Sequence, residues 1–179
     1  MNEEQNKYIS DSIRSIPDFP KPGILFHDVT SLLLDPKAFQ YCIDAFAERY
    51  RGQKVDAIAG FEARGFIFGA PLALALQCAF VPLRKPGKLP GETIGADYQL
   101  EYGSDRIEMH VGSVKEGDKV VLVDDLIATG GTMGAGIKLM NKVGANVLEA
   151  ACVMELPDLK GRGKLGDLPL FVLIEKEGL

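Results

Sequence analysis

The sequence predicts an α/β domain in which a parallel sheet carries helices on both faces. Three observations predict it. Short apolar runs alternate along the chain with stretches of helical periodicity, the pattern of strand–helix–strand units. The run Val120-Val121-Leu122-Val123 is continuous and short, as a buried strand requires. The length of 179 residues suits one domain with a full core, and 46% hydrophobic with 25% charged residues is ordinary for a soluble globular chain.

The elements follow in order. Residues 3–16 read as a short amphipathic helix with Ile9, Ile13 and Ile16 on one face, stopped by Pro17, Pro20 and Pro22. Residues 23–30 form a loop or short strand holding Phe26. Residues 36–50 place Phe39, Ile43, Phe46 and Ala47 at helical spacing. Residues 55–61 are a buried strand, Arg64-Gly65 opens a helix reaching about Gln77, and residues 79–83 are a further strand. Residues 84–95, broken by Pro86, Gly87, Pro90 and Gly91, are too polar to pack and are predicted to form a moving loop. Residues 98–102 and 106–110 read as a hairpin turning at Gly103-Ser104-Asp105. Strands over 119–124, 146–153 and 170–174 close the set, with a helix from about Met133 to Val143 after the first of them. No repeat, low-complexity tract or linker interrupts the chain, so residues 1–179 form a single domain.

Composition excludes several classes. The formal net charge of −5 argues against nucleic acid as the main partner, because phosphate backbones select basic surfaces. Cys42, Cys78 and Cys152 are odd in number, widely spaced and set in apolar surroundings, as small core residues of a reducing compartment are. With only His27 and His110, a histidine-rich zinc or iron site is not expected; a divalent ion, if used, is a hard one with oxygen ligands such as Mg²⁺. Residues 1–8 are polar and lack the apolar stretch of a secretory leader. The most apolar segment, 69–83, is punctuated by Pro71, Gln77 and Pro82 and is too short to span a bilayer. The expected location is the cytoplasm, with no membrane partner.

Residues 120–132, Val-Val-Leu-Val-Asp-Asp-Leu-Ile-Ala-Thr-Gly-Gly-Thr, carry the chemistry. A buried strand is followed at its carboxyl end by Asp124 and Asp125, then by a turn rich in Gly and Thr that opens a helix. Carboxylates accept hydrogen bonds from hydroxyls, and the free N–H groups and positive end of a helix take a phosphate. A ligand with both hydroxyls and a phosphate suits the pair. Separately, an acid pair caps helices and Gly-Gly makes tight turns; together and in this order they point to a site. No Gly-x4-Gly-Lys-Ser/Thr loop occurs, and Gly134-Ala135-Gly136 has Leu139 where a dinucleotide fingerprint needs a small residue.

Residues 120–132 resemble the phosphoribosyl-diphosphate binding motif of type I phosphoribosyltransferases. Further segments are similar to the adenine-using branch of that family. Pro17-Asp18-Phe19-Pro20-Lys21-Pro22-Gly23-Ile24-Leu25-Phe26 resembles its N-terminal base-binding hood, spanning about residues 1–34, and Ala63-Arg64-Gly65-Phe66-Ile67-Phe68-Gly69 also matches. Arg84-Lys85-Pro86-Gly87-Lys88-Leu89-Pro90-Gly91 resembles its mobile loop and Leu100-Glu101-Tyr102-Gly103 the end of that region, about 84–105 in all. Glu155-Leu156 with Leu159-Lys160-Gly161-Arg162 resembles its C-terminal signature. The resemblance implies a five-stranded parallel sheet under a small hood, a homodimer, and the reaction of adenine with 5-phosphoribosyl-1-diphosphate and Mg²⁺ to give AMP and diphosphate. Mg²⁺ is expected to bind mainly through substrate and water, with no direct protein ligand.

The resemblance also implies residue roles. Asp124 and Asp125 hold the ribose hydroxyls and favour positive charge developing on the ring. Ala128, Thr129, Gly130, Gly131 and Thr132 cradle the 5′-phosphate. Arg64 binds the diphosphate; Arg84, Lys85 and Lys88 close over it, and Tyr102 helps close the loop. Phe26 stacks on the purine, the Leu25 carbonyl accepts from the 6-amino group and the His27 N–H donates to N1. An oxopurine presents the opposite pattern at both atoms. His27 stands where an Arg is common, which leaves its side chain without an assigned role. Ala128 stands where hypoxanthine–guanine enzymes carry Asp, again favouring adenine. Glu101 is the carboxylate for proton handling at the purine, or else an exposed strand glutamate. The alternatives are a regulator that binds without turnover, which this acidic chain without a helix-turn-helix segment does not suit, and transfer to xanthine, orotate or uracil.

Overall fold

The structure is a computed structural model that describes residues 1–100 and 102–178. Its centre is a five-stranded parallel sheet built from β3 (Ala57–Phe61), β4 (Ala79–Leu83), β7 (Lys119–Ile127), β8 (Asn146–Glu155) and β9 (Leu170–Glu175), in the spatial order β4-β3-β7-β8-β9. Two antiparallel hairpins stand apart from it: β1 (Arg14–Pro17) with β2 (Leu25–Asp28), and β5 (Thr93–Gln99) with β6 (Ser104–His110). Four α-helices complete the domain: α1 (Glu3–Ser12), α2 (Pro36–Tyr50), α3 (Arg64–Leu76) and α4 (Gly131–Lys142).

Strand alternation divides the core into two layers. Val121, Val123, Ala151 and Val153 face α1, α2 and α3, where Ile9, Phe46, Phe68 and Leu72 are buried. Val120, Leu122, Ala150 and Cys152 face the other way, toward Leu139 and Met140 of α4 and Ile107 and Met109 of β6. A parallel sheet covered on both faces needs such continuous apolar strands. Local signals set the helix starts. Pro36 begins α2 behind Asp35, whose carboxylate accepts from the Lys37 and Ala38 N–H groups. Asn2 and Gln5 form a reciprocal cap at α1.

Several boundaries differ from the sequence expectation. The first helix stops at Ser12 rather than residue 16, because Arg14 to Pro17 pair with β2 and Ile16 joins the hairpin. Thr93 begins β5, so the loop after β4 is shorter than expected, and β6 already begins at Ser104, so Ser104 and Asp105 belong to the strand rather than to the turn. β7 continues to Ile127, so Asp124 and Asp125 lie within a strand that still pairs with β8 through Leu126↔Met154 and Ile127↔Glu155. Lastly, α4 starts at Gly131 rather than Met133.

Candidate active site

The sheet order reverses between β3 and β7: the chain leaves β3 toward β4 on one side and returns as β7 on the other. Ligands on open α/β sheets bind outside the carboxyl ends of the strands at such a switch point. A cavity of about 270 Å³ opens there, between the segment after β3 and the carboxyl end of β7. Arg64, Lys85, Asp124, Asp125 and the run Ala128, Thr129, Gly130, Gly131, Thr132 all line it. The lining does not include Leu25, Phe26, His27, Arg84, Lys88 or Tyr102. Glu101 lies outside the described residues.

The acid pair lies on consecutive residues of β7, and both line the cavity. Asp125 is 3% exposed, while Asp124 sits at the cavity wall and accepts the Asp125 N–H at 2.8 Å. Burial of its carboxyl group, then the neighbouring Asp125 carboxylate, pushes Asp124 well above the usual carboxylate range. Arg64, the first residue of α3, brings Nε to 2.8 Å from Asp125 Oδ2 as an ion pair. The N–H is not aimed at that oxygen, and Asp125 Oδ2 has no hydrogen-bond partner among the described residues. A buried carboxylate oxygen left without a donor is where a ligand hydroxyl fits.

Both helices that reach the cavity begin without a side-chain cap. α3 follows Ala63, and α4 follows Gly130 in the left-handed region at φ 83°. Their first N–H groups are therefore free to meet an anion. Two close approaches shape this end. A Cβ at Gly65 would lie 3.1 Å from Asp124 Oδ1, so α3 packs directly on the acid pair. A Cβ at Gly130 would lie 2.3 Å from the Gly161 carbonyl, so the chain after β8 braces the turn from behind. That brace is fixed by Arg162, whose Nε and Nη2 donate to buried Glu155 at 2.8 and 2.7 Å, and by the Leu156 N–H donating to the Ile127 carbonyl.

The loop after β4 is tied down. Arg84 exchanges backbone hydrogen bonds with Glu108 on β6, the Gly87 N–H donates to the Glu108 carboxylate, and His110 Nε2 meets the Pro90 carbonyl at 2.9 Å. Lys85 enters the cavity wall, yet its ammonium is engaged by Asp105 and by the Tyr98 hydroxyl at 2.6 Å. Burial opposes and both partners favour its charge, with the net shift upward. Arg84 Nε lies 3.5 Å from Glu62, and Lys88 is exposed beyond the cavity. Tyr102, at the hairpin tip, is 87% exposed. Phe26 packs edge-on against Phe19 in the β1–β2 hairpin, ring centroids 5.1 Å apart.

Sequence reasoning missed Glu62, which lines the cavity and accepts the Lys85 N–H, and the pair Tyr98 and Asp105 that hold Lys85. No local pattern marks these residues, because their partners lie on different elements. Gly161 stood in a quoted motif; the close approach to Gly130 gives it a physical reason.

Comparisons with known proteins agree with this geometry. The family described as phosphoribosyl transferase domain matches residues 28–170. An adenine phosphoribosyltransferase of Triticum aestivum is 62% identical over 94% of this chain and 93% of its own length. One from Yersinia enterocolitica is 57% identical, covering 98% of this chain and 95% of its own. The crystal structure of the Saccharomyces cerevisiae adenine phosphoribosyltransferase superposes with a TM-score of 0.91 at 45% identity, over 97% of this chain and 100% of that one. With that fold, that cavity and that similarity over nearly its whole length, the chain belongs to the phosphoribosyltransferase family and, within it, to the adenine phosphoribosyltransferases.

Proposed function

We propose that the chain serves purine salvage by transferring the 5-phosphoribosyl group of 5-phosphoribosyl-1-diphosphate to N9 of adenine, giving AMP and diphosphate. One observation carries this: a buried carboxylate oxygen that is ion-paired to Arg64 but accepts no hydrogen bond among the described residues lies in the same cavity as the uncapped N-terminus of α4. The first matches a sugar hydroxyl and the second a phosphate, at the two ends of a phosphoribosyl group. The Saccharomyces cerevisiae relative, crystallised with an imino-altritol bisphosphate and adenine, supports the same substrate pair.

Substitution at the anomeric carbon breaks the bond to diphosphate and forms the bond to N9, with positive charge rising on the sugar between the two. Asp124 and Asp125 accept the ribose hydroxyls and place negative charge beneath that ring. Hydroxyl donors arriving with the substrate favour the Asp124 carboxylate against the burial that disfavours it. The N–H groups at the start of α4, with the Thr129 and Thr132 hydroxyls, hold the 5′-phosphate. Arg64 turns from Asp125 toward the diphosphate, and Lys85 leaves Asp105 for it when the loop closes with Arg84 and Lys88. Closure excludes water that would otherwise capture the sugar cation. Phe26, the Leu25 carbonyl and the His27 N–H receive adenine, Glu101 handles the proton at the purine, and Tyr102 helps close the loop.

Mg²⁺ fits the donors at hand: it keeps several waters and binds through one or two carboxylates plus substrate phosphates. Asp124 and Asp125 would hold it through water, and it would neutralise charge on the leaving diphosphate. A homodimer is what the family resemblance implies. No described helix is long and apolar enough to cross a membrane, and three free cysteines suit a reducing cytoplasm.

Turnover of purified protein with 5-phosphoribosyl-1-diphosphate and Mg²⁺, offered adenine, hypoxanthine, guanine and xanthine in parallel, tests the reading. AMP from adenine alone is expected. Turnover of an oxopurine would keep the phosphoribosyl half of the proposal and overturn the base half.

A further inference from the structure

Among the described residues the β1–β2 hairpin joins no larger sheet, so side chains seat it on the domain. At its base, Arg14 pairs with Asp28 at 2.8 Å and Ser31 bridges to the Ser12 carbonyl. Nearer the base-reading residues, one side chain reaches the body of the protein. His27 is 8% exposed, and its Nε2 lies 2.7 Å from the Glu177 carbonyl. A carbonyl only accepts, so Nε2 carries the proton; in the neutral ring Nδ1 then accepts the Ser15 hydroxyl at 2.8 Å. Both ring nitrogens are used. Alternation along β2 puts Leu25 and His27 on one side and Phe26 on the other. Fastening His27 therefore leaves Phe26 presented on the opposite face.

The receiving segment is itself fastened on both sides of Glu177. The Lys176 N–H donates to the Glu155 carbonyl at 3.0 Å, and the Gly178 N–H to Asp158 Oδ1 at 2.9 Å. Glu155 also holds Arg162, next to the Gly161 that braces Gly130. A continuous run of hydrogen bonds and backbone contact thus joins β2 to the turn at the start of α4.

We propose that His27 is a positioning residue: its ring seats β2 on the C-terminal strap of residues 176–178 and so sets the geometry in which the backbone of Leu25 and His27 meets adenine. This rests on the adenine reading above and assigns a role to a side chain that family resemblance leaves without one. Among the described residues the strap makes no direct hydrogen bond to Arg64, Asp124 or Asp125, so its first effect falls on the base.

Four proteins test it: His27→Ala, His27→Gln, truncation after Glu175, and His27→Ala combined with that truncation. Steady-state kinetics with each substrate varied is expected to show KM for adenine raised roughly tenfold in His27→Ala, from loss of one buried hydrogen-bonded link. KM for 5-phosphoribosyl-1-diphosphate and kcat are expected within about twofold of the parent. His27→Gln keeps an amide N–H where Nε2 stands and is expected to restore adenine affinity. Truncation removes the His27 link together with the Lys176 and Gly178 hydrogen bonds, so it is expected to raise KM for adenine at least as much as His27→Ala, and the combination to be no worse than truncation alone. Hydrogen exchange at residues 25–28 is expected to quicken in the alanine and truncated proteins alike. Equal movement of both KM values, an additive combination, or unchanged exchange at 25–28 would overturn the proposal. If the parent protein does not use adenine, the functional reading fails by itself, and the exchange measurement still decides whether the strap holds β2.

Discussion

The proposed phosphate side of the site and the proposed base side, whose Leu25, Phe26 and His27 lie outside the cavity lining, are built on different principles. The phosphate half rests on the central sheet: β3 and β7 deliver Arg64 and the acid pair, α4 starts directly from the strand, and backbone meets backbone at Gly65 and between Gly130 and Gly161. The base half consists of two-stranded hairpins hung beside the sheet and fastened by side chains, among them His27 to Glu177 and Lys85 to Asp105. The difference teaches where rigidity is needed. A phosphate and two hydroxyls must be met by preorganised donors and acceptors whose positions do not move. In the proposed reaction a flat base must enter and AMP must leave, which suits a cover attached by side-chain bonds rather than by the central sheet.

Substitutions that separate the halves sharpen the comparison. The largest effect is expected for Gly130→Ala. The new methyl collides with the Gly161 carbonyl at φ 83°; overpacking costs about 1–3 kcal/mol, and the left-handed conformation about 1–2 more. Denaturant unfolding should show that loss, with phosphoribosyl-diphosphate binding lost as well and β1–β2 exchange unchanged. Wild-type stability would show the brace to be slack. Next comes Asp125→Ala, expected to lower kcat by roughly 10²–10³ with the fold intact, as removal of one preorganised transition-state contact does. Kinetics on folded protein checks it; near-normal turnover would remove the role.

Acid acts on the two halves with opposite sign. Asp28 at the base of the hood is held below the usual carboxylate range, first by the Thr30 hydroxyl and then, against burial, by Arg14. A depressed folded pKa contributes stability above the unfolded value of about 4 and loses it as pH falls through the folded value. Asp124 is raised, so the corresponding stability is present below about pH 4 and lost as pH rises toward its folded pKa. Asp124→Asn removes that term. It is expected to raise the melting temperature at neutral pH, to flatten the dependence between about pH 4 and neutrality, and to impair turnover, the trade seen where function keeps a buried charge. A fall in neutral-pH stability would show that Arg64 more than compensates the burial.

The phosphate half was legible in the sequence because its demands fall on neighbouring residues. Apolar run, acid pair, Gly-Gly and helix occupy residues 120–143, and each imposes a local pattern. The inner strands were equally plain, since continuous apolar runs have few other uses. What was not legible depends on partners distant in sequence. Ile16 fits a helical face as well as a strand, and only β2 decides. Loop residues 84–92 look free until Glu108 and His110 are brought beside them. The extra length of β7 past Asp125 follows from β8 continuing alongside it to Glu155. Adenine recognition left the faintest mark, because a backbone carbonyl and N–H are carried by almost any residue.

That last point sets the smallest effect, and it cuts most directly at the comparison. Leu25 is 40% exposed, and the proposed recognition uses its carbonyl rather than its side chain. Leu25→Ala keeps the strand, its pairing with Pro17 and the carbonyl. Surface substitutions of this kind stay within about 0.5 kcal/mol, so KM for adenine is expected to rise at most about threefold. The preference over hypoxanthine should be unchanged, because the carbonyl still meets an oxopurine oxygen with repulsion. Parallel kinetics with the two bases gives the answer. A tenfold rise, or new turnover of hypoxanthine, would move recognition onto the side chain and make the base half as dependent on residue identity as the acid pair is.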